Sequence, residues 1–309
     1  MLGLAQKRTD GKLHENQGLA VTLEELIYQQ NYLPYLSLRQ NTPTSQRAGN
    51  ARSAFKGRGM EFEEVRAYNF GDDIRDIDWR VTARRGEPYT KVFKEEKDRE
   101  IVAVLDLTSS MVFGTRNELK SVTAAKTAAL IGWLTHKYKD RFGALIYDGN
   151  EVVYLKPQND IAHLMNIFHK IAQKTHDVLI HQYDNDIGKA LEVLQYHQKG
   201  QGTVFILSDF HNFGPDQFDK IAILSQKHSV TCINIFDVLE EIAPQNGVYA
   251  AQYESQKTVF DTETEGFTAK YQQYFHQHRD LLRQSCQKFL CGYIEIRTDI
   301  PIFKQLSGI

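Results

Sequence analysis

The stretch Ile101–Met111, IVAVLDLTSSM, decides the architecture of this chain. A continuous apolar run that ends in an acid is the pattern of a strand buried on both faces. The same form returns in TVFILSD (203–209) and VTCINIFD (230–237), which end in Asp209 and Asp237. FGALIYDG (142–149) and EVVYLK (151–156) are further strands. Between them, Leu119, Val122, Ala125, Ala129, Leu130, Trp133 and Leu134 recur at helical spacing within 116–138. Helical patterns follow at 159–173, 186–198 and 215–228. Alternation of strand and helix over about 140 residues predicts an α/β fold, a mostly parallel sheet with helices on both faces. Crossovers in such a sheet are right-handed, so ligands sit at the carboxyl ends of the strands. The tail adds strand-like VYAAQY and TVFD, a long helix at 266–290 and a strand YIEIRT (293–298).

Upstream lies Gly59–Arg84, GMEFEEVRAYNFGDDIRDIDWRVTAR, with 7 acids and 4 arginines in 26 residues. Phe62, Val65, Tyr68, Phe70, Ile74, Ile77, Trp79 and Val81 give it an apolar skeleton that a disordered acidic tail would lack. Asn69-Phe70-Gly71 reads as a turn. Arg66, Arg75, Arg80 and Arg84 are the expected counter-charges for the Asp72–Asp78 cluster, since arginine holds carboxylates bidentately. The block is a joint to the sheet domain, a docking surface, or a carboxylate cluster for a metal. YTKVFKEEKDRE follows as a strand with a charged edge. Before the block, 22–37 reads as a helix with a capping box, Thr22 with Glu25. Residues 39–58 read as an exposed polar linker.

The 309 residues suffice for a real core, and 41% apolar with 25% charged content is ordinary for a globular protein. A net charge of −2 argues against binding nucleic acid by phosphate neutralisation. No stretch approaches the roughly 20 apolar residues of a membrane span. The N-terminus lacks the apolar core of a signal peptide, so a cytoplasmic location is expected. Cys232, Cys286 and Cys291 form no CxxC pair, and core packing is their default. His276 and His278 are two apart on a helix and point in different directions. No G-x-x-x-x-G-K-[ST] occurs, so ATP hydrolysis by this chain is not expected.

The chemistry-bearing candidate is the loop after the first buried strand. An acid followed by hydroxyls at alternate positions lets Asp106, Thr108 and Ser110 point inward together, and such oxygens suit Mg²⁺. Asp209, on a strand adjacent to the first, would add a second carboxylate through a water. The alternative is that Thr108 and Ser110 cap the helix that begins near Arg116.

Asp106–Ser110, followed by an amphipathic helix and later Leu207-Ser208-Asp209, resembles the von Willebrand factor type A fold. The resemblance implies a Rossmann-like sheet and a metal-ion-dependent adhesion site. Asp106, Thr108 and Ser110 match its first loop, with threonine for the usual serine at 108. Asn185, within Asp184–Leu191, stands where the family commonly has threonine, with Asp184 and Asp186 beside it. Asp209 matches the third loop. Glu61, Arg66, Tyr68, Gly71, Asp72, Asp73, Arg75, Asp78, Trp79 and Arg84 resemble the signature of the domain of unknown function 58 family, which precedes a type A-like domain. The implied domains are 1–58 (N-terminal helix and linker), 59–99 (small charged α/β segment packed on the sheet domain) and 100–309 (type A-like domain with C-terminal helix and strand). The resemblance further implies a non-enzymatic adaptor, assisted by Mg²⁺ or another divalent cation, working with a MoxR-type AAA+ ATPase and its client in a chaperone-like assembly. The alternative reading is a Mg²⁺-dependent hydrolase or phosphatase using the strand-end aspartates. A dehalogenase-type phosphatase would need an aspartate at 108.

Overall fold

The computed structural model describes residues 18–37, 61–69, 72–94, 98–181, 183, 186–245, 247–253 and 256–306. Strand β3 (Glu100–Asp106) runs through the middle of the sheet, parallel to β4 (Arg141–Tyr147) on one side and β6 (Gly202–Ser208) on the other. Its unbroken apolar sequence follows from that position. Ile101, Ala103 and Leu105 enter one core cluster, while Val102 and Val104 enter the other. Beyond β6 lie β7 (Ser229–Phe236) and β10 (Gly292–Arg297), also parallel. The far edge is β5 (Val152–Gln158), which pairs antiparallel with β4. The strand order is β10-β7-β6-β3-β4-β5. The α/β, Rossmann-like expectation is borne out, with one antiparallel edge.

Helices Lys120–Lys137 and Ile161–Ile180 cover one face. Helices Gly188–His197, Pro215–Ser225 and Phe267–Lys288 cover the other. The Lys120–Lys137 helix has almost no polar face because a further layer lies over it. Val21 and Leu26 share its core cluster, and the Trp133 indole N–H donates to the Leu26 carbonyl at 3.0 Å. The segment around Leu26 therefore packs into the sheet domain's core. Its capping box is present, with Glu25 N–H on Thr22 Oγ1 at 3.2 Å and Thr22 N–H on Glu25 Oε2 at 2.9 Å. The helix expected over 22–37 is divided into Leu23–Tyr28, a 3-10 turn Gln29–Tyr32 and Leu33–Ser37. Pro34, which has no N–H to continue the ladder, sits in the first turn of the last piece, where proline is tolerated.

The charged block folds around a hairpin. β1 (Glu61–Ala67), which the sequence reading left unassigned, pairs antiparallel with β2 (Tyr89–Lys94), the predicted charged-edge strand. The Asp72 N–H donates to the Asn69 carbonyl at 3.0 Å, closing a turn where one was expected. A 3-10 turn Ile74–Asp76 and a helix Trp79–Arg85 complete the unit. A second hairpin, β8 (Val248–Tyr253) with β9 (Gln256–Asp261), precedes the long helix. The predicted polar linker at 39–58 lies outside the described residues.

Candidate functional site

Four strands end in aspartate at the same side of the sheet: Asp106, Asp148, Asp209 and Asp237. Each turns its carboxylate back onto a main-chain N–H two residues on, at 2.9–3.0 Å. They then diverge. Asp237 also accepts from Thr115 N–H (3.0 Å), Thr115 Oγ1 (2.5 Å) and Thr298 Oγ1 (2.8 Å). Burial pushes its pKa up, but these donors outweigh burial and hold it below the usual carboxylate range. Asp148 is similarly held low by Lys174 at 2.6 Å.

At Asp106, Oδ1 accepts from Thr108 Oγ1 at 2.8 Å, and Oδ2 accepts from Ser208 Oγ at 2.6 Å. Thr108 Oγ1 lies 3.4 Å from Ser110 Oγ, which donates to Asp209 Oδ1 at 3.2 Å. Asp106, Thr108, Ser110 and Asp209 thus form one arc of oxygens, as the sequence predicts. Neither hydroxyl caps the following helix. That helix begins at Lys120 with Leu119 as its cap residue. Phe210, directly after Asp209, has φ of 54°, an uncommon left-handed conformation for a buried aromatic residue. Its N–H donates to Ser208 Oγ at 2.9 Å, which fixes the hydroxyl that holds Asp106. Loop one meets loop two through Ser109 N–H on the Tyr183 carbonyl at 3.1 Å. Gly149 also permits this approach: its φ is 88°, and a Cβ there would lie 2.6 Å from the same carbonyl.

Asn185 and Asp184 lie outside the described residues. Asp186 is committed elsewhere. Its Oδ1 accepts from Gly188 N–H and Gln217 Nε2, both at 2.6 Å.

The sequence reading does not anticipate Lys120, which is 2% exposed. Its ammonium donates to Asp209 Oδ2 at 2.7 Å and Glu240 Oε1 at 2.6 Å. A signal existed, because a lysine in the first turn of a helix opposes the macrodipole and needs a specific partner. Glu240 was legible too, as the fourth residue of a capping box begun by Asp237. Burial disfavours the Lys120 charge, but Asp209 and Glu240 outweigh it and raise the pKa. Burial likewise works against Asp209, and Lys120 outweighs it and lowers that pKa. Asp106 has no such cation. Burial first, and the Asp209 charge second, push its pKa up to about 6. Asp209 and Glu240 share one ammonium and Asp106 has none, so three carboxylates face one cation and two negative charges are left uncompensated at neutral pH.

That charge and donor set fit a divalent cation. Octahedral Mg²⁺ at 2.0–2.1 Å from its ligands sets adjacent oxygens about 2.9–3.0 Å apart. The arc's spacings of 2.8, 3.4 and 3.2 Å bracket that value. Among the described residues, no group of three or more His, Cys, Asp or Glu is placed to hold a metal ion. An ion here would be held by two carboxylates and two hydroxyls, with waters.

The signature residues form a separate cluster. Arg66 grips Asp72 bidentately at 2.9 and 2.7 Å, and Asp72 also accepts from Asn69 N–H. The Tyr68 hydroxyl donates to the Asp72 carbonyl at 3.2 Å. Asp73 caps the 3-10 turn and pairs with Arg75 at 3.1 Å. Asp78 corrects one expectation: it accepts from the main-chain N–H groups of Arg80 and Val81 as a helix cap, rather than from an arginine side chain. Helix Trp79–Arg85 needs that cap to satisfy its first N–H groups. Arg84 is in its last turn, where the helix dipole favours a cation. Trp79 is 67% exposed. Glu61 opens β1, and Gly71 lies outside the described residues.

The family described as "Protein of unknown function DUF58" matches residues 64–281, which span the hairpin unit and most of the sheet domain. The chain belongs to this family. Among curated proteins, uncharacterized proteins Mb1516 of Mycobacterium bovis and Rv1480 of Mycobacterium tuberculosis are each 28% identical over 200 residues. Those matches take in 64% of this DUF58 chain and 62% of each relative's length. Among solved structures, BatB from Bacteroides thetaiotaomicron is 14% identical, with a TM-score of 0.42, over 68% of this chain and 96% of that one. The SpRpn10 VWA domain is 9% identical, with a TM-score of 0.37, over 67% of this chain and 93% of that one. These scores are too low to carry an argument, and the type A-like, Rossmann-like assignment rests on strand order and the strand-end loop. Among the described residues of this DUF58 protein, no helix is long and apolar enough to cross a membrane.

Proposed function

We propose that this DUF58 protein is a non-enzymatic interaction module whose strand-end face receives a partner's carboxylate with the help of a divalent cation. The observation that carries this is the oxygen arc from Asp106 through Thr108 and Ser110 to Asp209, with two uncompensated negative charges. Asp106, Thr108, Ser110 and Asp209 would hold the ion, and Asn185 is the further candidate from the second loop. The bound cation would supply an open coordination position for an external acid. Ser208 orients Asp106, and Lys120 neutralises one side of Asp209 so that the two carboxylates can lie together. The partner we propose is a MoxR-type AAA+ ATPase, with this chain linking it to a client in a chaperone-like assembly. That partner rests on the family resemblance, and a cytoplasmic location is proposed with it. A hydrolase gains no support from the geometry, because both Asp106 oxygens are engaged by hydroxyl donors and position 108 is a threonine.

The test is co-capture of a purified MoxR-type ATPase, without nucleotide, by wild type and Asp106→Asn in Mg²⁺ and in chelator. Capture by wild type in Mg²⁺ alone is expected. Equal capture in chelator, or by Asp106→Asn, contradicts the cation-assisted reading.

A further inference from the structure

A cavity of about 160 Å³ opens directly beside Asp209, between the ends of β6 and β7 and the Phe267–Lys288 helix. Its walls are Phe236, Tyr271, Tyr274 and Phe275, with His278 and His211 on the Asp209 side. Tyr274 is 63% exposed, so the cavity reaches the surface. A dry cavity of about 150 Å³ engineered in another protein admits benzene, so one six-membered ring fits this volume.

The walls are held in place, and one buried side-chain nitrogen in them has no partner among the described residues. The Arg279 guanidinium stacks on Phe236 at 5.0 Å and Phe275 at 5.2 Å, so those rings already have their cation. The Tyr271 hydroxyl is spent on the Leu239 carbonyl. Asp209 Oδ2 and Glu240 Oε1 are both engaged by Lys120. His278 Nε2 is buried and has no hydrogen-bond partner among the described residues. A ring nitrogen of a neutral imidazole donates or accepts according to tautomer, and a buried one without a partner is costly. The sequence reading gave His276 and His278 different directions on their helix, and the fold turns His278 into the cavity wall.

We propose that this cavity receives the ring of a tyrosine of the protein partner, with the phenol hydroxyl hydrogen-bonded to Nε2 of His278. The inference rests on the interaction reading above and adds its specificity: an aromatic side chain seated next to the carboxylate bound at the oxygen arc. Aromatic walls favour a ring in edge-to-face packing over an aliphatic chain of equal volume. The unpaired ring nitrogen selects a hydroxyl-bearing ring over a plain one.

The probes are p-cresol, N-acetyltyrosinamide and toluene, titrated into the full chain and followed by NMR in the presence of chelator. We expect p-cresol and N-acetyltyrosinamide to compete for one site, with toluene weaker by about 5-fold, the worth of one hydrogen bond. His278→Ala should erase the preference for p-cresol over toluene, and His278→Gln, which keeps a hydrogen-bonding group, should restore it. Tyr274→Ala, at an exposed wall position, should weaken all three probes. Absence of saturable binding, equal affinity for p-cresol and toluene, or binding of p-cresol without N-acetyltyrosinamide each overturns the proposal. Because the titration contains no divalent cation, failure here leaves the cation reading standing. Conversely, loss of Mg²⁺ binding leaves a positive ring titration standing.

Discussion

Asp237 and Asp106 are both buried aspartates at the ends of parallel strands of one sheet, with β6 between them, yet their environments push them in opposite directions. Asp237 receives four hydrogen bonds from Thr115, Leu239 and Thr298, and its pKa falls. Asp106 receives three, from Thr108 and Ser208, and its pKa still rises to about 6 because burial disfavours its charge, Asp209 is close and no cation faces it. Burial and then the Asp209 charge prevail at Asp106, whereas at Asp237 the hydrogen-bond donors outweigh burial. One carboxylate ties three loops together, and the other is held in a state that an added cation would relieve.

The largest effect expected from breaking this comparison comes from Lys120, which separates the two cases. Lys120→Met leaves Asp209 and Glu240 buried without their counter-charge, and urea unfolding should show a loss of about 3–5 kcal/mol. Next comes the staple. Asp237→Ala strands Thr115 and Thr298 donors, with an expected loss of about 2–3 kcal/mol in the same measurement.

Asp106→Asn should go the other way in chelator. A rise from 3.8 to about 6 corresponds to about 3 kcal/mol of cost for the ionised form. Between those two pH values the unfolded chain has released this proton while the folded chain keeps it. The cost therefore grows as the pH rises and is complete above about 6. The asparagine variant should equal wild type near pH 4 and exceed it by about 1–3 kcal/mol at pH 7. A constant difference across that range would show that the Asp106 carboxylate is not strained.

The smallest effect is expected at Trp79, exposed on the hairpin unit. Trp79→Ala should change stability by about 0.5 kcal/mol or less by thermal melting. A larger loss would mean that the unit uses this ring for packing.

Much of this architecture was legible because it depends on local pattern. Ile101–Asp106 had to be a doubly buried strand, since no face of it is polar. The alternate oxygens of Asp106, Thr108 and Ser110 follow from spacing alone, and adjacency to Asp209 follows from sheet topology. The first-turn lysine at 120 was a signal, but its partners were not legible, because they come from residues 89 and 120 positions away. His278 was hidden for a related reason: only the packing of the last long helix over β6 and β7 decides which of its faces meets the strand ends. In the signature block the Arg66–Asp72 and Arg75–Asp73 pairs were foreseeable from neighbouring charges. The cap made by Asp78 depended on where the helix starts.

The central claim is tested most directly by Mg²⁺ titration of the folded chain, wild type beside Asp106→Asn, by calorimetry. One ion per chain bound by wild type and none by the variant, with both folded, is the predicted result. No saturable binding by wild type, or equal binding by the variant, would contradict it.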